Sequence, residues 1–221
     1  MGLGKKVLIA DTFAQAVDWG YASIDKLNST SALFVTVAYT IQIYFDFSGY
    51  SDMAVGISRI LQLDLPINFN SPYKAKTILE FWDRWHITLT RFFTRYLYIP
   101  LGGNRKGKSR AYINTLIVFL CSGLWHGASL TYVLWGAIHG CFMVFTKYFI
   151  KTFEKIPNFI NQCITLIFVN FTWILFRSGS FGDFKQMIQV MFAGNWGKLN
   201  DNLCEPFVPE VVNLIKITKG S

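Results

Sequence analysis

Charged residues are scarce in this sequence and absent from long stretches of it. Only 15% of the 221 residues are charged and 52% are hydrophobic, whereas soluble domains carry roughly 25% charged residues. No Asp, Glu, Lys or Arg occurs in the 36 residues between Arg110 and Lys147, and shorter charge-free runs cover 27–45 and 156–176. One helical span of a hydrocarbon core uses about 20 residues. The sequence therefore argues against a soluble globule, and its longest run is nearly long enough for two spans.

Several sequence motifs for disulfides, metal sites and nucleophilic catalysis are also absent. The four cysteines form no CxxC, and none of the three histidines lies in an HExxH or another close ligand pair. Neither a disulfide framework nor a metal site is expected, and the cysteines are predicted to be small buried residues. No G-x-S-x-G elbow occurs, although Ser122, four residues before His126, keeps a nucleophilic dyad open as an alternative.

The net charge of +8 is concentrated in short clusters beside the apolar runs. These clusters are Arg105, Lys106, Lys108 and Arg110 in one loop and Lys147, Lys151 and Lys155 in another. Basic residues accumulate on the cytoplasmic side of membrane helices, so both loops are predicted to be cytoplasmic. No basic face with interleaved aromatic residues stands apart from an apolar run, so nucleic acid is not expected as a partner.

The apolar runs predict an all-α fold, a polytopic transmembrane helical bundle forming one membrane domain over residues 1–221. Within it, one amphipathic helix is predicted over 78–98, where aromatic residues recur at helical spacing. Arg84, Arg91 and Arg95 share the other side of that helix. We expect it to lie at the membrane interface, with the arginines toward head groups or an anionic donor.

Three histidines are candidates for chemistry at membrane depth. His126 lies 16 residues after Arg110, roughly 24 Å along a straight helix, and His139 lies about 12 Å from the other end of the run. Ionisable residues inside a bilayer are costly and commonly line a cavity or a substrate path. Helical counting puts His86 near an apolar face, where a core histidine bonded to a carbonyl group is the alternative to a functional one.

Two carboxylates, Asp46 and Asp52, lie among aromatic and small residues. They are predicted either to orient a histidine, or to pair with an arginine inside the bundle, or to cap or break helices beside Gly49.

Four stretches together resemble the membrane-bound O-acyltransferase family, in the branch of alginate O-acetyltransferases and related bacterial polysaccharide acetylases. They are GLGKKVLIAD, YTIQIYFDFSGYSDMAVGISRILQLDLPINFNSPY, FWDRWHITLTRFFTRYLYIPLGGNRKG and SGLWHGASLTYVLWGAIHG, which cover about residues 1–180 in the family's order. The resemblance implies that His126, in the WHG motif with Trp125, is the catalytic histidine. It implies that His86, in WHITL, holds the second active-site position, which some relatives fill with asparagine. His139 matches the branch without an assigned role.

Proteins of this family are longer, with several membrane helices before the point that matches Met1. The chain is therefore expected to be truncated at its N-terminus and to represent the C-terminal half of a longer protein.

The implied function is acyl transfer from a cytoplasmic thioester donor, acetyl-CoA or an acyl carrier, to hydroxyl groups of an extracytoplasmic polysaccharide such as alginate. We expect a multi-pass protein of the cytoplasmic membrane with no bound cofactor. His126 is expected to be the general base and His86 to hydrogen-bond the thioester carbonyl. A separate extracytoplasmic acetyltransferase is the expected partner.

Other functions remain open from the sequence. They are D-alanyl transfer toward teichoic acid or lipid acylation by the same fold, a proton-relay transporter or scaffold, and a fragment without activity.

Overall fold

The computed structural model describes residues 1–209, in which helices are joined by short connections. The α-helices are α1 (Gly2–Gly4), α2 (Asp11–Ala22), α3 (Ser29–Ile60), α4 (Ile78–Arg84), α5 (Ile87–Phe93), α6 (Lys108–His126), α7 (Leu130–Tyr148), α8 (Ile150–Phe153), α9 (Asn158–Arg177), α10 (Phe181–Phe192) and α11 (Asp201–Cys204). Short π-helical segments are Lys5–Ala10 and Thr94–Tyr98, and 3-10 turns are Ile24–Lys26, Pro72–Lys74 and Glu205–Phe207. Within the described residues there is no strand, only an isolated bridge between Phe69 and Trp85. The predicted all-α class is confirmed.

The chain separates into two compact units. The first unit contains Met1–Leu65 and the chain from Arg177 onward, and the second unit is Pro66–Phe176. A single membrane domain over 1–221 stays a prediction, and its last residues, 210–221, lie outside the described part of the chain.

The first unit is organised around α3, a continuous helix of 32 residues. Asn28 caps its N-terminus, since the Asn28 side-chain oxygen accepts a hydrogen bond of 2.8 Å from the Ser31 backbone N–H. Asp46 and Asp52 both lie inside this helix. The prediction that they cap or break helices is therefore wrong, because the helix continues through Gly49 and both carboxylates are engaged by side chains of the preceding helical segment.

The second unit contains the long charge-free run, which folds into α6 and α7 as its length predicted. These helices pack closely where glycines face backbone atoms. A Cβ atom added at Gly136 would lie 2.3 Å from the Phe119 carbonyl oxygen, and one added at Gly123 would lie 2.4 Å from the Tyr132 carbonyl oxygen. Contacts this short are sterically forbidden, so the absence of side chains at these two positions permits the close approach of α6 and α7.

The predicted amphipathic helix over 78–98 is interrupted, and the prediction of one continuous helix is wrong. The chain leaves α4 at Trp85, passes through His86 in a left-handed conformation with φ 46° and ψ 53°, and enters α5 at Ile87. A non-glycine residue in this region ends a right-handed helix. Helical counting across the break therefore did not locate the side chain of His86.

Among the described helices, α9 is the one that is long and apolar enough to cross a bilayer, with a mean hydropathy of 1.7.

The four cysteines are free thiols, but their predicted burial is wrong. Cys141 and Cys204 are exposed because they lie on outward faces of α7 and α11, and Cys121 and Cys163 are half-buried.

Candidate active site in the second unit

The two predicted catalytic histidines lie against one indole ring. The ring centroid of Trp125 is 6.4 Å from that of His86 and 4.9 Å from that of His126. Trp125 is the penultimate residue of α6, and His86 comes from the break between α4 and α5. The fold thus brings the end of one helix next to the break between two others, and with them two histidines that lie 40 positions apart in the sequence.

The His126 imidazole lies among aromatic rings. Its centroid is 6.3 Å from Tyr132, 5.3 Å from Trp135 and 5.0 Å from Phe176. His126 ends α6 because Gly127 follows with φ 155°, a conformation that side chains disfavour. The ring is half-buried, and no hydrogen bond joins it to another group in the described part of the chain. Its ring nitrogens therefore remain available to a substrate.

The His86 side chain is held by a residue from the segment before α4. His86 Nδ1 lies 3.2 Å from Asn68 Oδ1, and that oxygen also accepts hydrogen bonds from the backbone N–H and the hydroxyl of Thr88, at 3.2 and 3.0 Å. The partner is the carbonyl group of a side-chain amide, which is the kind of contact that the alternative of a core histidine bonded to a carbonyl group predicts. The His86 side chain is half-buried, so it is not enclosed in the core.

His139 is enclosed, and both of its ring nitrogens have partners. Trp82 Nε1 donates to His139 Nδ1 at 3.3 Å, and His139 Nε2 lies 2.9 Å from Thr172 Oγ1. An indole N–H only donates, so His139 Nδ1 accepts and the ring hydrogen resides on Nε2, which donates to Thr172. Thr172 in turn donates to the Val169 carbonyl at 2.9 Å. With no exposed surface, His139 links α4, α7 and α9 and does not face a ligand.

A cavity of about 1020 Å³ lies in the same unit. Its lining combines aromatic and charged side chains, among them Trp82, Phe119, Asp83, Lys108, Lys147 and Lys151. Lys147 is half-buried and its Nζ donates to Thr115 Oγ1 at 3.1 Å. Ligand cavities typically measure roughly 300–1,000 Å³, so this one accommodates a substrate-sized molecule beside three ammonium groups. None of the three histidines is among its described lining residues.

The two predicted carboxylates belong to the first unit and pair with lysines there. Asp46 lies 2.6 Å from Lys6 Nζ, which also contacts Asp11 at 2.9 Å, and Asp52 lies 2.8 Å from Lys5 Nζ. Lysine therefore takes the place of the predicted arginine partner. These pairs are partly exposed, so each contributes little to stability.

The three predicted arginines differ from one another. Arg84 donates to Glu80 Oε1 at 2.6 Å and to the Asn70 carbonyl at 3.2 Å, so it stabilises the local fold. Arg91 and Arg95 are exposed. A role for these two in binding head groups or a donor stays a prediction.

The dyad and metal alternatives find no geometric support among the described residues. Among the described residues, no hydrogen bond joins Ser122 to His126. Ser122 is buried and lines the cavity, whereas His126 is not one of the residues that line it. Within residues 1–209, no group of three or more His, Cys, Asp or Glu side chains is arranged to hold a metal ion.

Sequence reasoning missed three residues that hold the histidines: Asn68, Trp82 and Thr172. Asn68 lies between Pro66 and Pro72, where a loop is expected, and Trp82 is one of the aromatic residues at helical spacing in 78–98. A polar side chain among apolar neighbours was the one visible indication for Asn68 and Thr172. Their histidine partners lie 18 and 33 residues away in the sequence.

Residues 4–180 match the family described as the membrane-bound O-acyltransferase family. A peptidoglycan O-acetyltransferase from Helicobacter pylori is 43% identical over 199 residues, covering 88% of this chain and 38% of the relative. The probable alginate O-acetylase AlgI of Pseudomonas syringae pv. tomato is also 43% identical, over 197 residues, with the same coverage. A teichoic acid D-alanyltransferase from Bacillus subtilis is 30% identical over 154 residues, covering 65% of this chain and 39% of the relative. The chain thus spans about two fifths of the length of these curated relatives.

Proposed function

The chain belongs to the membrane-bound O-acyltransferase family, and from this membership we propose that it serves in O-acetylation of a cell-surface polysaccharide. An acetyl group passes from a thioester donor to a hydroxyl group of the polymer. The observation that carries the proposal is the meeting of His86 and His126 at the indole of Trp125. These are the two histidines that the family resemblance assigns to the active site.

The proposed reaction needs a base because an alcohol has a pKa far above 7. The hydroxyl oxygen forms a bond to the acyl carbon and the carbon–sulfur bond breaks. The hydroxyl proton passes to His126 and from there to the departing thiolate, which leaves an ester and a free thiol. General base catalysis by a positioned imidazole contributes about 10² to 10⁴ in rate. The half-buried ring of His126, with no protein hydrogen bond in the described part of the chain, supports this role.

The cavity of the second unit supports binding of the donor. Acetyl-CoA and acyl carrier proteins present a thioester on a phosphate-bearing arm, and Lys108, Lys147 and Lys151 provide cations for such an anion. The same lysines lie in the loops predicted to be cytoplasmic, which is the side on which these donors are available. Trp82 and Phe119 provide the apolar wall along which an acyl arm would lie.

We further propose a multi-pass protein of the cytoplasmic membrane. In support, α9 is long and apolar enough to cross a bilayer, and α6 and α7 match it in length, with 19 residues each against 20. Helices of this length extend about 28–30 Å, the thickness of a hydrocarbon core. An extracytoplasmic acetyltransferase is the proposed partner for polymers that lie outside the membrane.

The test is a donor assay in membranes containing the chain together with any coding sequence that precedes it in frame. Labelled acetyl-CoA and a labelled D-alanyl carrier protein are supplied separately, with isolated alginate, peptidoglycan and teichoic acid as acceptors. We expect acetyl label in a polysaccharide above the level in membranes lacking the protein. Proton flux without transfer of either label would contradict the proposal.

The D-alanyl donor is the second candidate because of the similarity to teichoic acid D-alanyltransferase. The teichoic acid D-alanyltransferase has a lower sequence identity over a smaller share of the chain than the O-acetyltransferases, which favours acetyl transfer. If only D-alanine label were transferred, acyl transfer would stand but D-alanine would replace acetate as the transferred group.

A Lys147→Met variant is expected to raise the KM for the donor several-fold, because it removes one cation from the cavity.

A further inference from the structure

Two backbone hydrogen bonds hold the chain at His86 in its left-handed conformation. The Ile87 N–H donates to the Asn68 carbonyl at 3.1 Å, and the Asn70 N–H donates to the Arg84 carbonyl at 3.0 Å. Between them, Phe69 and Trp85 form the isolated bridge. A left-handed conformation is unfavourable for a non-glycine residue and persists only where surrounding contacts fix it. The segment 68–70 provides those contacts on both sides of His86.

The Asn68 side chain can be oriented without ambiguity. Its amide oxygen is 3.2 Å from the Thr88 backbone nitrogen, which only donates, so the atom facing this nitrogen is the oxygen and not the NH₂ group. The same oxygen lies 3.2 Å from His86 Nδ1. An amide oxygen only accepts, so His86 Nδ1 carries the hydrogen and donates it to Asn68.

We infer that Asn68 is a positioning residue that fixes His86 as the Nδ1–H tautomer and makes Nε2 the proton-accepting nitrogen. The inference deepens the proposed function and rests on it for the catalytic consequence. A neutral imidazole has one donor and one acceptor nitrogen, and the donor is already used by Asn68. In neutral His86, Nε2 therefore carries no hydrogen and acts only as an acceptor. Donation to the thioester carbonyl, the role that the sequence suggested, is left to the imidazolium.

In the same unit, His139 has the opposite tautomer and therefore serves as an internal reference for the measurement. His139 accepts from Trp82 at Nδ1 and carries its hydrogen on Nε2. The chain has only three histidines, so the nitrogen resonances of ¹⁵N-labelled histidine are assignable with one His86→Gln and one His139→Gln variant.

The experiment is solid-state NMR of the ¹⁵N-histidine-labelled chain in lipid bilayers at a pH where the rings are neutral. We expect His86 to show a protonated Nδ1 and an unprotonated Nε2, and His139 to show the reverse. A protonated Nε2 with an unprotonated Nδ1 at His86 in the unmodified chain would overturn the inference, with no variant required.

Two substitutions at Asn68 test the positioning role. Asn68→Asp keeps an oxygen acceptor and is expected to retain the Nδ1–H tautomer, whereas Asn68→Leu removes the acceptor and is expected to give a mixture of tautomers. Thr88→Val is the matched control, because it removes one donor to the same oxygen and leaves the contact with His86. An unchanged tautomer in Asn68→Leu would contradict the role of Asn68.

Activity provides the second measurement. In the acetyl-transfer assay, Asn68→Leu is expected to lower kcat about tenfold, the ratio that one net hydrogen bond supports, with the KM for the donor unchanged. Asn68→Asp is expected to rescue kcat. A rise in KM with kcat unchanged would place Asn68 in donor binding instead. The NMR result does not depend on acyl transfer, so failure of the tautomer assignment is distinguishable from failure of the proposed function.

Discussion

Trp135 contacts two histidines whose surroundings are opposite in character. On α7, His139 lies 4.8 Å from the Trp135 ring centroid, has no exposed surface and uses both ring nitrogens within the protein. At the end of α6, His126 lies 5.3 Å from the same centroid, is half-buried and makes ring contacts with no protein hydrogen bond in the described part of the chain. The comparison separates a histidine that stabilises the fold from one that is available for chemistry.

The difference between these two histidines follows from hydrogen-bond satisfaction. A buried imidazole whose two nitrogens are bonded has no group left for a substrate, and its removal leaves buried donors and acceptors unpaired. An imidazole surrounded by aromatic rings is positioned by packing contacts, and its nitrogens make no hydrogen bonds to the protein. Substitutions at the two positions are therefore expected to change different measurements.

The largest expected effect is at His126. His126→Ala is expected to reduce acyl transfer about 10² to 10⁴-fold, because the general base is lost, while the thermal unfolding of the purified protein changes little. Transfer rates and circular-dichroism melting in detergent are the two measurements. Normal polymer acetylation by the variant would exclude His126 as the base.

The next effect concerns the helix pair that carries both histidines. Gly136→Val adds side-chain atoms where even a Cβ would lie 2.3 Å from the Phe119 carbonyl oxygen. Forcing α6 and α7 apart is expected to cost about 1–3 kcal/mol of unfolding free energy. The melting transition should fall accordingly. Gly4→Val, at a glycine with open space around its Cβ position, is the matched control and should leave the transition nearly unchanged.

The substitution His139→Leu is expected to reduce stability by about 1–3 kcal/mol, because it leaves the buried Trp82 N–H without an acceptor. His139→Asn places an oxygen near the position of Nδ1 and should recover part of that loss. The unfolding free energies of the two variants in detergent provide the measurement. If His139→Leu and the unmodified chain had equal unfolding free energies, the hydrogen bonds of His139 would not contribute to stability. They would then not explain the difference between His139 and His126.

The smallest effect tests whether ion pairing supports the break that presents His86. Partial burial raises the pKa of Glu80, but hydrogen bonds from the Lys76 backbone and from Arg84 outweigh it, so the pKa lies below its ordinary value. A lowered carboxyl pKa adds stability that is present above the unfolded-state value and is lost as the pH falls through the folded-state value. In Glu80→Gln, the unfolding free energy should no longer fall as this carboxyl group is protonated at acidic pH. For such a partly exposed pair, the expected fall in the unmodified protein is about 0.2–1 kcal/mol.

Stability measured between neutral and acidic pH checks the Glu80 prediction. The control is Glu154→Gln, which changes a carboxylate for which the described residues show no ion pair. A Glu80→Gln profile that matches the unmodified protein throughout would show that the Glu80–Arg84 pair does not contribute to this part of the fold.

Much of the helical framework and part of the site were predictable from residue patterns. The run between Arg110 and Lys147 predicted two helices because its length exceeds one span. The motifs around His86 and His126 predicted the two histidines that meet at Trp125. The helix over 78–98 was predicted without its break, since the break depends on main-chain hydrogen bonds to Asn68 and Asn70, and local propensity contains no information about those partners.

The sequence by itself determined the all-α class, the family and the identity of the candidate histidines, because apolar periodicity and motif spacing are local properties of the chain. Only the tertiary structure decided which histidine is enclosed, which is open and which ring nitrogen of His86 and of His139 faces a hydrogen-bond donor or acceptor. The reason is that the partners of His86 and His139 lie 18, 33 and 57 residues away in the sequence. Hydrogen-bond partners at such separations are chosen by the packing of helices against one another.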